Sequence, residues 1–331
     1  MATVRIGISG WRYEPWRKIF YPEALAQHRE LEYAARAFPS IEINGSFYSL
    51  QTPASYSMWH DATPDDFVFS VKGPRYVTHI LRLRNVLRPL ANFFASGVFN
   101  LQEKLGPILW QFPPQFAYDA RRFDEFLELL PHDTPEALKL ARRRDSRMHG
   151  RASLRIDAPR RLRHAVEIRH PSFANPDFVA QLRRHDIALV VADTAGKWPY
   201  LEDITTDFMY LRLHGDKELY ASGYTEAALS RWADRIRSWQ RGGEPRDARR
   251  VGQKARGRSG RDVYCYFDND IKVRAPFDAD RLMQKLGLER TDKTFRFPSR
   301  RLLQNIRPAP PLPPFRWRRP RGSTVRKAAR G

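Results

Sequence analysis

The sequence contains little that could form a disulfide cross-link or anchor the chain in a membrane. Cys265 is the only cysteine among 331 residues, so an internal disulfide framework is excluded. No apolar run approaches the roughly 20 residues that cross a bilayer. Val4–Ser9 has the pattern of a strand rather than the long apolar segment of a signal peptide. We therefore expect a cytoplasmic protein with no membrane partner.

Lysine is also scarce. Arginine supplies most of the 58 basic residues, which give the chain a net charge of +21. This charge is concentrated in three segments, residues 139–163, 241–261 and 289–331, which carry net +8, +6 and +11. The rest of the chain is slightly acidic. Arginine-rich segments are typical of phosphate-binding surfaces. They are equally typical of proteins from GC-rich genomes, in which arginine replaces lysine without any selection for binding.

Eight short apolar or alternating runs are separated by helical or loop patterns. They are Val4–Ser9, Ile41–Asn44, Phe67–Lys72, Ile108–Phe112, Ala165–Arg169, Ala188–Asp193, Phe208–His214 and Val263–Phe267. This alternation predicts an α/β fold, a (β/α)₈ TIM-type barrel in a single domain. A doubly wound sheet is the alternative, but the first turn lacks the Gly-x-Gly-x-x-Gly pattern.

Helix signals separate these runs. Pro22 is expected to open the first helix, and residues 121–130 and 226–240 have amphipathic patterns. Asp278 is expected to cap the last helix, and Gly287 to end it.

The periodicity stops after the last of these helices. The segment 308–314 is proline-rich and Arg316–Arg330 is basic, so we predict a barrel over residues 1–288 and a basic, disordered tail over 289–331. The Gly- and Arg-rich stretch 241–261 is predicted to be a long mobile loop before the last strand.

Polar residues alternate with apolar ones at the carboxyl ends of several runs. If the apolar positions such as Ile41, Val166 and Leu211 face the helices, their polar neighbours point into the barrel, where barrel enzymes keep their active sites. The candidate catalytic residues are Glu42, Glu167 and His214. The candidate ligand-binding residues are Trp11, Asn44, Tyr48, Lys72, Gln111, Arg169 and Asn269. The alternative is a salt-bridge network, including Arg212, that only fixes strand register.

Glu167, Asp193 and His214 also end neighbouring runs and are the candidates for a metal site. No HExxH or paired-cysteine spacing accompanies them, so no metal ligand is assigned and the cofactor stays open. Ser9 and Ser46 lack the context of a catalytic triad.

Seven short motifs at the strand ends occur in the order found in the YecE-like family, catalogued as domain of unknown function 72. They are Gly7–Tyr13, Glu42–Tyr48, Lys72–His79, Gln111–Pro114, Glu167–Ser172, Leu213–Gly215 and Tyr266–Asp270. The chain resembles this family over about residues 4–288, with Phe173 where the family usually has tryptophan. The resemblance implies a barrel and no established activity.

Three functions are compatible with this sequence. The first is an enzyme acting on an anionic, phosphate-bearing substrate, with Lys72 and Arg169 holding the anion. The second is a nucleic-acid-associated binding protein without catalysis, in which the arginine-rich segments supply affinity. The third is a ligand-binding or scaffold barrel. The sequence does not specify the oligomeric state.

Overall fold

The strands lie where the alternating runs predict them. A computed structural model describes residues 2–269 and 273–305. The strands are β1 Val4–Ser9, β2 Ser40–Ile43, β3 Val68–Lys72, β4 Leu105–Gln111, β5 His164–Glu167, β6 Ala188–Asp193, β7 Phe208–Leu213 and β8 Asp262–Phe267. Each strand pairs in parallel with the next, and β8 pairs with β1 to close the barrel. The predicted (β/α)₈ fold is confirmed.

Helices cover the outside of this barrel. They are α1 Glu30–Ala37, α2 Gly45–Tyr48, α3 Pro53–Asp61, α4 Leu87–Ala95, α5 Ala120–Glu128, α6 Thr134–Ala141, α7 Pro176–Arg184, α8 Glu226–Gln240 and α9 Arg274–Leu286. No helix among residues 2–269 and 273–305 is long and apolar enough to cross a membrane.

Two of the predicted helix signals are wrong. Pro22 lies in a turn region, and the first α-helix begins at Glu30, after a short 3₁₀ turn. Asp278 lies inside α9, where its carboxylate accepts hydrogen bonds from the backbone of Tyr224 and from Asn269. Gly287 does end α9, in the left-handed conformation (φ 70°) that glycine adopts without strain.

The predicted inward and outward faces of the strands are confirmed. Ile41, Val166 and Leu211 belong to the large apolar layer between strands and helices. A smaller layer fills the inside of the barrel, and it includes Leu109 and Tyr210. Because side chains alternate along a strand, the polar partners of the outward residues are forced towards the axis.

The expected end of the barrel at residue 288 needs correction. Phe295 is buried, and the Phe297 ring lies 5.6 Å from Phe20 and 5.4 Å from Phe277. Asp292 also accepts a hydrogen bond of 2.8 Å from Arg36. Two phenylalanines anchor this segment, too few to produce a periodic pattern. The rest of the predicted tail, residues 306–331, lies outside the described residues.

The stretch 241–261 contains no helix or strand, as predicted, but it is tied to the barrel. Glu202 and Asp203 are fully buried, and they accept hydrogen bonds from the backbone amides of Arg249 and Gly252. The buried Arg261 donates to the carbonyl of Gly242. These bonds oppose the free mobility that its composition predicts.

Candidate functional site

Arg212 is the centre of a buried ionic network at the carboxyl ends of the strands. Its guanidinium donates to both oxygens of Glu42, at 2.9 and 3.1 Å, and to Glu167 Oε2 at 2.7 Å. It also donates to Ser9 Oγ and, at 2.8 Å, to Asp268 Oδ2. Since an unpaired interior charge costs several kcal/mol, these three carboxylates are what permits an arginine inside the barrel.

Glu167 connects this arginine to two more of the predicted residues. Its Oε1 accepts hydrogen bonds from Gln111 Nε2 at 2.8 Å and from Arg169 Nε at 2.9 Å. Burial alone would raise the pKa of this carboxyl, but the charges of Arg212 and Arg169 hold it well below the usual range. Glu167 is therefore an ionised acceptor with both oxygens engaged.

His214 faces the same network and remains under-bonded. Its Nδ1 lies 3.0 Å from Asp268 Oδ2, but the ring is not aligned for a good hydrogen bond, and Nε2 lies 4.0 Å from Glu167 Oε1. Neither ring nitrogen has a well-formed hydrogen bond within the described part of the chain. Burial and the Arg212 charge lower the pKa of His214, although Asp268 opposes this shift.

Among the described residues, Lys72 is the cation of this network that no carboxylate contacts. Its side chain is 7% exposed, and its Nζ lies over the Phe47 ring at 4.2 Å. No hydrogen bond or ion pair to its ammonium group is present among residues 2–269 and 273–305. Burial and the nearby Arg212 lower the pKa of Lys72 to about 8, against the opposing pull of Glu42, Glu167 and Asp268.

The structure brings Glu42, Lys72, Gln111, Glu167, Arg169 and His214 together at the carboxyl ends of the strands, while their catalytic and ligand-binding roles stay predictions. These residues form, with Arg212 and Asp268, what we call the strand-end cluster. Its side chains are packed together and largely buried.

Asp268 is the member of this cluster that the sequence prediction omits. Val263, Cys265 and Phe267 face the helices, so the same alternation that selects Glu42 places Asp268 on the inward side. Burial acts to raise the pKa of Asp268, but the Arg212 charge and His214 lower it more strongly.

Loop residues complete the rim of the cluster. The Trp198 ring lies 3.9 Å from the Arg169 guanidinium, and the Tyr220 hydroxyl accepts a hydrogen bond of 3.2 Å from Arg169. The Tyr220 ring also packs edge-on against His214. Burial and the charges of Lys72 and Arg169 lower the pKa of His79 to about 4, so this rim histidine is neutral. Trp198 and Tyr220 carry no periodic signal in the sequence.

The other predicted ligand-binding residues lie elsewhere. Trp11 is a core residue whose ring packs against Trp59 and Phe69 on the helix-facing side, so it does not line the strand-end cluster. Asn269 donates to Asp278 and to the Ser222 carbonyl, which holds the β7–α8 loop.

Asn44 and Tyr48 lie at the edge of the strand-end cluster. Asn44 donates to Ser9 Oγ at 3.1 Å, so it touches the network. Tyr48 is 71% exposed and lines a separate groove.

The three metal candidates do not gather into one site. Asp193 accepts a hydrogen bond of 3.1 Å from the Tyr224 hydroxyl, whereas Glu167 and His214 belong to the strand-end cluster. Among residues 2–269 and 273–305, no group of three or more histidine, cysteine or acidic side chains has a geometry that could hold a metal ion.

The family model described as "Protein of unknown function DUF72" matches residues 5–302. The chain belongs to this family. The UPF0759 protein YunF of Bacillus subtilis is 29% identical over 34% of this chain and 41% of its own length. The UPF0759 protein YecE of Escherichia coli K12 is 26% identical over 51% of this chain and 50% of its own length. The match thus spans half or less of the length of each of these curated relatives.

Solved structures of DUF72 proteins share the barrel. A family member from Thermotoga maritima superposes with a TM-score of 0.64 at 25% identity, covering 86% of this chain and 99% of the other. One from Enterococcus faecalis gives a TM-score of 0.60 at 15% identity, covering 87% and 96%. The second likeness shows the fold alone.

Proposed function

We propose that the protein is an enzyme that acts on an anionic, phosphate-bearing substrate at the carboxyl-terminal face of the barrel. The observation that carries this proposal is Lys72, a buried ammonium group over an aromatic ring with no carboxylate in contact among the described residues. The three carboxylates of the strand-end cluster are all bonded to Arg212. A buried lysine with no carboxylate in direct contact among the described residues is suited to bind an anion from outside.

His214 supplies the proton-transfer group in this proposal. Its lowered pKa keeps the imidazole neutral near pH 7, so it can accept a proton from a water or hydroxyl group of the substrate. The Asp268 carboxylate beside Nδ1 would stabilise the imidazolium that forms.

Glu42 and Glu167 act as anchors rather than as the general acid or base. Glu42 accepts from Arg212 on both oxygens, and Tyr210 donates to its Oε2 at 2.7 Å. To accept a substrate proton, either carboxylate would first have to break bonds to a buried guanidinium. Arg169 is the second cation towards the substrate, held by Trp198 and Tyr220.

Titration calorimetry with sulfate tests the anion site, since sulfate stands in for a phosphate dianion and does not titrate near neutral pH. We expect the full chain to bind sulfate and Lys72→Met to bind it at least about tenfold more weakly, because one charge-assisted interaction is removed. Lys254→Met removes an exposed lysine of the 241–261 loop and should leave binding unchanged. Equal binding by the chain and Lys72→Met would contradict the proposal.

The role of His214 is tested separately with p-nitrophenyl phosphate and its diester as probes. His214→Asn should retain sulfate binding and reduce turnover by about 10²- to 10⁴-fold, the usual contribution of a general base. Turnover that survives this substitution would remove His214 from the mechanism.

A further inference from the structure

A groove of about 310 Å³ opens beside the carboxyl ends of β2 and β3. Phe47 and Tyr48 of α2 form one side, and Tyr76 follows β3. Arg147, Met148 and Arg151 form the outer wall. The groove thus joins aromatic residues of the strand-end motifs to the basic segment 139–163.

The aromatic side presents ring surface to solvent. Tyr48 is 71% exposed and Tyr76 is 42% exposed, which is unusual for large side chains of this protein. Phe47 packs edge-on against Tyr48 with ring centroids 5.1 Å apart, so Tyr48 has a fixed support. Exposed, supported tyrosine rings are suited to stack on planar groups.

The outer wall is positively charged. Arg147 and Arg151 supply its cations, and Arg151 is exposed with no ion-pair partner in the described parts of the chain. Arg147 is held in place by Asp145 at 2.6 Å and also interacts with the Tyr76 hydroxyl. The charge of this wall is complementary to a polyanion.

Phe47 connects the groove to the strand-end cluster. The same ring that lines the groove lies 4.2 Å from Lys72 Nζ. An anion bound at Lys72 would therefore lie next to a residue of the groove wall, although Lys72 itself does not line the groove. A ligand that fills both places carries phosphate at one point and planar groups beside it.

We propose that this groove binds single-stranded nucleic acid, with bases stacked on Tyr48 and Tyr76 and backbone phosphates along the Arg151 wall. Single strands fit because their base faces are free to stack, whereas those of a duplex are covered by neighbouring pairs. The placement of one phosphate at Lys72 rests on the proposed function. The stacking itself does not.

Fluorescence anisotropy with a labelled oligothymidylate of about 12 nucleotides tests the groove in the full chain. Tyr48→Ala and Tyr76→Ala should each weaken binding by about tenfold, because each removes one base–aromatic stack. Tyr48→Phe should restore it, because the ring remains. Met58→Ala removes a comparably exposed side chain from α3, outside the groove, and should have no effect.

An abasic oligomer of equal length separates stacking from charge. Its affinity should be unchanged by either alanine substitution, whereas an equal loss for both oligomers would contradict base stacking. Unaltered oligothymidylate binding by a variant that carries both Tyr48→Ala and Tyr76→Ala would overturn the inference. The sulfate titration of Lys72→Met reports on the proposed function independently, so a failure of one is not a failure of the other.

Discussion

Lys72 occupies a position where a charged side chain opposes the stability of the fold. Burial and Arg212 lower its pKa to about 8, whereas an unfolded lysine titrates near 10.5. Between these pH values the unfolded chain binds more protons than the folded one. The free energy of unfolding therefore rises with pH over this window, by about 3 kcal/mol in total from Lys72.

Lys72→Met should lack this rise, because methionine does not titrate and suits the buried site. We expect the variant to be more stable than the natural chain at pH 7, by up to about 3 kcal/mol, and the difference to shrink towards pH 10.5. Urea unfolding across this range measures it, with Lys254→Met as the exposed control. A Lys72→Met variant that is destabilised at pH 7 would show that the lysine has a structural partner.

Glu167→Gln should have the opposite effect. It leaves the buried guanidinium of Arg212 and the partly buried one of Arg169 short of a carboxylate, so the free energy of unfolding should fall by about 3–5 kcal/mol. Glu125→Gln breaks an exposed pair with Arg121 and should change it by less than about 1 kcal/mol. Equal stability of the two variants in urea would contradict the buried network.

At this scale the sequence predicts the residues that follow strand alternation and little else. Glu42, Lys72, Glu167 and His214 are identifiable by their inward parity, and Asp268 follows the same rule. Tyr220 and Trp198 reach Arg169 from irregular loops, and loops have no period from which a direction can be read. Trp11 stands beside a strand end but turns outward into the core.

Among the elements, the segment after α9 has the clearest energetic consequence. Phe295 and Phe297 pack with the aromatic group around Phe20, Tyr33 and Phe38, which fills the space behind α1. Its contacts are tertiary and sparse, which is why periodicity does not reveal it.

Truncation after residue 288 should therefore destabilise the barrel by several kcal/mol. Loss of one buried phenylalanine side chain alone costs about 3–5 kcal/mol. Truncation after residue 305 keeps every described interaction and serves as the matched control. Thermal unfolding of the two shortened chains compares them directly. Equal melting temperatures would show that residues 289–305 do not stabilise the barrel and that its boundary is at residue 288.

The remaining elements show where local patterns suffice. Strands are predictable because a buried parallel sheet imposes apolar runs, and α5 and α8 because each has one apolar stripe. The start of α1 is not predictable from the sequence, since Pro22 suits a turn as well as a first helical position. Asp278 misleads because a buried acid in α9 resembles a cap in sequence.

Over the whole molecule, the net charge of +21 predicts a salt-dependent affinity for polyanions. Residues 306–331 contain basic residues and no acidic ones. The chain truncated after residue 305 should therefore bind nucleic acid with a shallower dependence of log K on log salt. The slope should fall by about 0.7 for each phosphate of a single strand that the shortened chain no longer neutralises.

Anisotropy titrations at several salt concentrations measure this slope. For both chains, the affinity should not depend on the nucleotide sequence of the ligand. An unchanged slope in a truncated chain that still folds would show that the arginines of residues 306–331 contact no phosphates and reflect genome composition alone. The groove variants provide the comparison, because losing a stacked base changes affinity without changing the number of phosphates neutralised.

Cys265 makes the opening of the helix layer over β8 measurable as a rate. Its side chain is fully buried in β8, a strand paired with β7 on one side and β1 on the other. Because Cys265 faces the helix layer, a thiol reagent reaches this sulfur only when the helices packed against β8 move away from the sheet. Burial also raises the pKa of the thiol, which suppresses reaction in the native state. The labelling rate of the natural chain, with its single thiol, therefore reports how often the helices over β8 separate from the sheet.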